Sequence, residues 1–415
     1  MHFNDYRISE DIKDNLDRLG FRKPTDIQFK SIPPILKGND LLAIAQTGTG
    51  KTAAFVIPVL QILLPKFGSP DTSDVKCLVM APTHELAMQI HEVFSSMAKK
   101  TGLSSLCIHG GVDQDPQIKR LKEGVPIVIA TPGRMFDLVS QGYLKLNKVR
   151  ILVLDEADHM LDLGFLNDIQ QLARKLPNNR QTLFFSATIN KKIKNLAYSL
   201  VQNPIRIQIS PKDPVAKNIN HAVAFIEMDD KRFFLERLVN ENSKSKILVF
   251  VRTKVRAERV QKALERVKLE SQTIHSDKEQ NERFKVMQKF RDGESLILIA
   301  TDISARGIDI PDVDFVVNYD LPEQTENYVH RVGRTGRAKM KGQAVSFCSK
   351  DEKALLKEIE TYLDQDIKVL DIAKKDYKET LDFSPEDETD WRSLIDKAEE
   401  DKQARKLKKR KEKRK

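Results

Sequence analysis

Ala45, Gln46, Thr47, Gly48, Thr49, Gly50, Lys51 and Thr52 set two glycines and a lysine–threonine pair between an apolar run at 41–44 and a stretch with helical spacing. Small residues let successive backbone N–H groups close around phosphate oxygens at a helix N-terminus. The lysine adds a mobile positive charge at the β- and γ-phosphates, and the threonine hydroxyl can ligate Mg²⁺. This is a Walker A loop with alanine at its first glycine position. About a hundred residues further on, the apolar run 151–154 leads straight into Asp155, Glu156, Ala157 and Asp158. A carboxylate at the end of a strand beside the Walker A strand is where Mg²⁺ must be held. Asp155 therefore joins Thr52 as the metal partner, and Glu156 becomes the base that orients an attacking water. Together these groups can transfer a phosphoryl group to water.

Such groups need a scaffold that aims strand ends at one place. Apolar, β-branched runs at 40–45, 76–81, 126–130, 150–154 and 182–185 alternate with helix-like stretches such as 85–99 and 167–175. That alternation predicts a parallel α/β sheet covered on both faces. After 205–209, Ser210, Pro211, Lys212, Asp213 and Pro214 break both periodicities, and a second set of strands follows at 222–226, 246–251, 295–300, 314–318 and 343–347. The expected organisation is an ATP-binding domain over 1–209, a linker over 210–218, a second α/β domain over 219–375 and a charged, weakly ordered tail over 376–415, with a short helix at about 391–395.

The 415 residues include 70 basic and 60 acidic side chains, a formal charge of +10 that is unevenly spread. Residues 402–415 hold ten basic residues and one acidic, residues 376–401 eleven acidic and three basic, and residues 1–375 carry +9. A basic body with a basic tail predicts a polyanionic partner, nucleic acid foremost. Cys77, Cys107 and Cys348 are an odd number with no C-x-x-C pair, so neither a disulfide framework nor a zinc ribbon is expected and a reducing, cytoplasmic setting is. The longest apolar runs are strand-sized, which argues against a membrane span.

Further motifs stand in order along the chain. Phe21, Pro24, Thr25, Ile27 and Gln28 precede the Walker loop. Pro82, Thr83, His84, Glu85, Leu86 and Ala87 follow it, then Gly110 with Gly111, and Thr131 to Arg134. Ser186, Ala187 and Thr188 come after the acidic tetrad. The second half carries Phe250, Val251, Arg252 and Thr253, then Gln280 and Arg283, the run from Ala300 through Thr301 to Asp309, and His330, Arg331, Gly333, Arg334, Gly336 and Arg337. This ordered series resembles the motifs of DEAD-box ATP-dependent RNA helicases, and the likeness covers about residues 3–375.

The resemblance implies two RecA-like domains with ATP and Mg²⁺ in the cleft between them. Phe21 would stack on adenine and Gln28 read its edge, with Asp309 and the Walker loop completing the nucleotide site. Pro82, Thr83, Glu85, Gly110, Gly111, Thr131, Arg134, Arg252, Thr253, Gln280, Arg283 and Thr301 would line the RNA path. Ser186, Thr188, Asp158 and His330 would couple the nucleotide to the domain interface. His84 departs from the family's usual arginine, and Ser276 from its usual glycine. Arg334 and Arg337, spaced for one helical face, are expected to stabilise charge on the departing γ-phosphoryl group, because planar guanidinium groups do so best.

Lys51 and these arginines lie in different domains, so domain closure is the expected switch. The implied activity is RNA-stimulated ATP hydrolysis that separates short duplexes or remodels ribonucleoprotein particles, with a grip on single strands and short duplexes that falls on phosphate and sugar. A DNA-translocating ATPase with the same core and an ATP-gated RNA clamp with little unwinding are the alternatives. A guanine-nucleotide switch fits less well, since no Asn-Lys-x-Asp motif is present.

Overall fold

The computed structural model describes residues 2–46, 48–65, 67–209, 215, 219–275, 277–302, 313–336 and 342–382, excepting the side chains of 280 and 281. One sheet comprises β1 (Leu41–Ala45), β2 (Cys77–Met80), β3 (Ser105–Ile108), β4 (Ile127–Ala130), β5 (Ile151–Leu154), β6 (Gln181–Ser186) and β7 (Ile205–Ile209). A second comprises β8 (Ile219–Phe225), β9 (Ile247–Phe250), β10 (Gln272–Ile274), β11 (Ile297–Ala300), β12 (Phe315–Asn318), β13 (Gly342–Cys348) and β14 (Lys368–Val369). Their orders are β3-β4-β2-β5-β6-β1-β7 and β10-β11-β9-β12-β13-β8-β14, so the second sheet repeats the first strand for strand.

All strand pairs are parallel, and parallel strands alternate their side chains between two covered faces. In the first lobe Leu41, Ala43, Val79, Ile129, Val153 and Phe185 enter one core, and Leu42, Ile44, Met80, Val128, Leu152 and Phe184 the other. The second lobe is built likewise, with Leu248, Phe250, Leu298 and Val316 on one face and Ile247, Val249, Ile299 and Val317 on its reverse. Covering both faces explains why these strands read as unbroken apolar runs.

In each lobe one helix follows the first strand, after loops of the same length. Five residues separate β1 from helix Lys51–Leu63 and five separate β8 from helix Lys231–Glu241, each helix opening on a buried lysine. The three cysteines are free. Among the described residues no helix is long and apolar enough to cross a membrane.

Three features differ from the sequence reading. β3, β10 and β14 lay hidden, being four, three and two residues long at the sheet edges, where Ser105, Gln272 and Lys368 dilute the apolar signal. β6 separates β5 from β1, so the Asp155 strand is not the Walker strand's neighbour. Helix Lys374–Asp382 runs through the boundary expected after residue 375. It docks on helix Lys231–Glu241: Tyr377 donates to Asp230 Oδ2 (2.7 Å) and packs on Phe234, and Arg237 donates to Thr380 Oγ1 (2.7 Å). A few contacts thus order a segment whose composition reads as charged tail. The linker at 210–218, apart from the buried Val215, lies outside the described residues, as do residues 383–415 with the helix expected near 391–395.

Candidate active site

The C-terminal ends of the first sheet's strands converge. Past β1 the chain turns through Gly48 and Gly50 at φ +79° and +92°, with Thr49 Oγ1 donating to the Gln46 carbonyl (2.7 Å), and Gly50 becomes the N-cap of helix Lys51–Leu63. Gly50 has no substitute here: a Cβ would lie 2.5 Å from Gln28 Nε2 as well as requiring the left-handed backbone. Gln28, only 2% exposed, fixes this loop from the side. Its Oε1 accepts from Thr25 N (2.9 Å) and its Nε2 donates to Gly50 O (3.1 Å). Phe21 is half-buried against the core with its ring edge-on to Phe3.

Lys51 is 6% exposed, and its Nζ has no hydrogen-bond partner among the described residues. An ammonium group in that state needs an anion, and it lies beneath a loop shaped for phosphate, so the residues fit a nucleoside triphosphate. Asp155 and Glu156 follow β5. The backbone of Glu156 is left-handed at φ +49°, an uncommon conformation for a non-glycine residue, and its amide donates to Asp155 Oδ1 (3.0 Å). Burial pushes the Asp155 carboxyl up to about 6, with the Glu156 and Asp158 charges adding to the rise against the pull of Lys51. A buried acid among other acids favours a cation beside it, so Asp155 and the Thr52 hydroxyl fit Mg²⁺. Burial would also raise Glu156, but His159, Lys51 and Arg334 outweigh it and hold the carboxyl at about 2.

Asp158 is spent on β6: its Oδ2 accepts from Ala187 N (3.1 Å), Thr188 N (2.9 Å) and Thr188 Oγ1 (3.2 Å), while Ser186 Oγ donates to the Thr188 carbonyl (2.8 Å). β6 therefore stands between the loop and metal strands because it carries the segment that ties them together. From the second lobe, His330 and Arg334 reach a cavity shared with Glu156, Asp158 and Thr188. Arg334 is not on a helical face. Helix Thr325–Val332 is capped at Gly333, and Thr335 is drawn off into a bridge with Val313, its Oγ1 donating to the Val313 carbonyl (2.6 Å). Thr47, Ser276, Asp309 and Arg337, and the side chain of Gln280, lie outside the described residues.

The residues expected on nucleic acid also sit beyond strand ends, and the two lobes match. Thr83 after β2 caps helix His84–Met97 and Thr253 after β9 caps helix Lys254–Arg266. Ala130 and Thr131 close β4 as Ala300 and Thr301 close β11, and both threonines are buried. Pro82 is buried, Gly111 is left-handed beside Gly110, and Arg134 donates to the Val112 carbonyl (2.8 Å). Glu85 and Arg283 pair with each other across the lobes at 2.6 Å. Arg252 binds Glu352 Oε1 (3.1 Å) and its amide donates to Asp320 Oδ2 (3.0 Å).

Against this geometry the comparisons are unambiguous. A family model described as DEAD/DEAH box helicase matches residues 25–196, and one described as Helicase conserved C-terminal domain matches residues 230–339. The chain belongs to the DEAD/DEAH box helicase family. It is 40% identical over 371 residues to the ATP-dependent RNA helicase RhlB of Shewanella woodyi, covering 88% of this chain and 84% of that protein. It is 37% identical over 370 residues to the ATP-dependent RNA helicase DbpA of Bacillus subtilis, covering 89% and 76%. The structure of S. cerevisiae Dbp5 bound to RNA and ADP BeF3 superposes with a TM-score of 0.80 at 30% identity, over 92% of this chain and 98% of that one.

Three side chains of this helicase escaped the sequence reading. Arg331 is 1% exposed and donates from Nε and Nη2 to the two Asp302 oxygens (2.6 and 2.8 Å) and from Nη1 to the Asp320 carbonyl (2.7 Å). It bolts one motif to another, a role that its position among other arginines conceals. His159 is 4% exposed, 3.5 Å from Glu156, with neither ring nitrogen hydrogen-bonded among the described residues. Lys231 binds Glu352 Oε2 (2.5 Å) and the Tyr319 carbonyl (2.7 Å), with Asp320 Oδ1 3.9 Å away. The five-residue spacing from β8 to Lys231 was the available clue.

Proposed function

We propose that this chain is an ATP-dependent RNA helicase whose two lobes close on ATP and RNA together and whose hydrolysis of ATP is stimulated by RNA. The observation that carries the reading is the meeting of Glu156 from the first lobe with Arg334 from the second at one cavity, with the charge of Lys51 also acting on Glu156. Lys51 holds the β- and γ-phosphates, Gln28 and Phe21 take the adenine, and Glu156 orients water. The water oxygen bonds to the γ-phosphorus as the bond to the β,γ-bridging oxygen breaks and its electron pair leaves with ADP; the products are ADP, inorganic phosphate and a proton. Arg334 and Arg337 stabilise the charge that spreads over the γ-oxygens. Thr52 and Asp155 hold Mg²⁺, which neutralises phosphate charge when bound. Asp158, by gripping Ala187 and Thr188, passes the state of the nucleotide to the lobe interface where His330 sits.

RNA runs across both lobes over the paired strand ends at Thr83, Thr131, Thr253 and Thr301, contacting phosphate and sugar rather than base edges. Gly110, Gly111, Arg134, Gln280 and Arg252 flank that path, and the Glu85–Arg283 pair holds its two halves together. Short duplexes and ribonucleoprotein particles are the substrates this grip suits, in the cytoplasm. Phosphate release measured with RNA, single-stranded DNA and no nucleic acid tests the reading. Strong stimulation by RNA alone is expected, and equal stimulation by single-stranded DNA would favour the DNA-translocating alternative.

A further inference from the structure

The cavity at the lobe interface has a volume of about 470 Å³ and extends well past the nucleotide site. Of its lining residues, Glu156, His159, Thr188 and Arg334 are buried or half-buried and form the inner end, while Asn190, Lys191, Lys192 and Gln324 are exposed and form the mouth. Because those four residues are exposed, the cavity opens to solvent beside them, and no Walker-loop residue lines it. None of these outer residues has a part in the reaction described above.

The geometry points to this cavity as the passage by which inorganic phosphate leaves while the lobes are still closed, and the inference rests on the hydrolysis reading above. After the γ-phosphoryl group is transferred, ADP lies between the phosphate and the Walker loop, so the nucleotide's own entrance is blocked. The free phosphate is then flanked by Glu156 and Arg334, the two groups that form the cavity's inner end. Two lysines at the mouth attract the departing dianion and lower the electrostatic cost of the way out. His159 lines the passage almost fully buried, its Nδ1 3.5 Å from the Glu156 carboxylate and its Nε2 without a hydrogen bond among the described residues, so a passing phosphate oxygen can be the partner of Nε2. Asp162 and Glu326 also line the cavity and keep it from becoming a trap. An exit must let its anion go.

Two variants of the full-length protein test this. Lys191→Glu with Lys192→Glu reverses the charge at the mouth, and Gln324→Trp narrows it; all three positions are exposed and outside the catalytic groups. In single turnovers with saturating RNA, quenched-flow measures bond cleavage and a fluorescent phosphate sensor measures release. Cleavage should stay within ~2-fold of wild type while release slows ~3-fold or more in both variants. Oxygen-18 exchange from water into phosphate should rise, since phosphate held longer reverts to ATP more often. Wild-type release and wild-type exchange in both variants would overturn the passage. Failure of the hydrolysis reading would look different: bond cleavage would persist in Glu156→Gln, whatever happened at the mouth.

Discussion

Glu156 keeps its charge deep in the fold because His159, Lys51 and Arg334 together outweigh burial, so it stays ionised throughout the physiological range. A carboxyl held at about 2 is a weak proton acceptor, so the role proposed for it is chiefly to align water. Glu156→Gln should therefore lower turnover by ~10²-fold or more while ATP and RNA binding are kept. Lys51→Ala should lose tight nucleotide binding as well, read by filter binding beside a phosphate assay. Gln28 has a double duty that its motif does not reveal, since the amide proposed to read adenine also supports Gly50. Gln28→Ala is expected to reduce the preference for ATP over GTP and also to weaken both nucleotides, which their dissociation constants will show; an unchanged ATP:GTP ratio would remove adenine reading from Gln28. In the second lobe, burial pushes the Glu352 carboxyl up, but Lys231 and the amides of Ser349 and Leu321 outweigh it and hold it below the usual range. Lys231→Met should cost about 3–5 kcal/mol of unfolding free energy, because it takes the buried ammonium from Glu352 and leaves that carboxylate to Arg252 and the Ser349 and Leu321 amides. Replacing Glu352 with Leu in the same chain should recover much of that loss.

Elements were more legible than the contacts between them. The buried strands announced themselves because both faces are covered, and the motifs at their ends marked where ligands go in a parallel sheet. Edge strands β3, β10 and β14 did not, being short and partly polar. Strand order was also illegible: nothing in residues 181–186 says that this strand lies between the Walker and metal strands, a placement set by how the crossover helices pack. Arg334 was misplaced for a local reason, since Gly333 and Thr335 stop the helix. The final helix Lys374–Asp382 read as tail because its charge conceals one aromatic anchor, Tyr377, whose hydroxyl needs Asp230 in a distant segment. Tyr377→Phe removes that hydrogen bond while keeping the ring on Phe234. It should destabilise the second lobe by about 0.5–1.5 kcal/mol, measured by denaturant midpoint, with little effect on nucleotide binding.

At the scale of the whole molecule, Glu85 and Arg283 form a buried bridge between lobes, with side chains 5% and 15% exposed. Arg283→Ala should raise the RNA concentration for half-maximal ATPase stimulation, and a double-mutant cycle with Glu85→Ala should show coupling in the presence of an ATP analogue and RNA but none in their absence. The basic residues at 402–415, outside the described residues, invite a separate test. Their deletion should flatten the salt dependence of RNA binding and leave the saturated rate nearly unchanged. The repeated strand order has a historical meaning. Two units with one topology, each with a lysine opening the helix after its first strand, read as copies of one ancestral domain that diverged over a single anion. The second copy drew the anion from its own chain: Glu352 meets Lys231 where the first copy leaves Lys51 for a phosphate. One descendant became self-sufficient and the other stayed dependent on what it binds. Nucleotide at a hundred times its dissociation constant should then add about 2.7 kcal/mol to the stability of the lobe whose lysine awaits it, which makes the cell's ATP supply a component of this chain's fold.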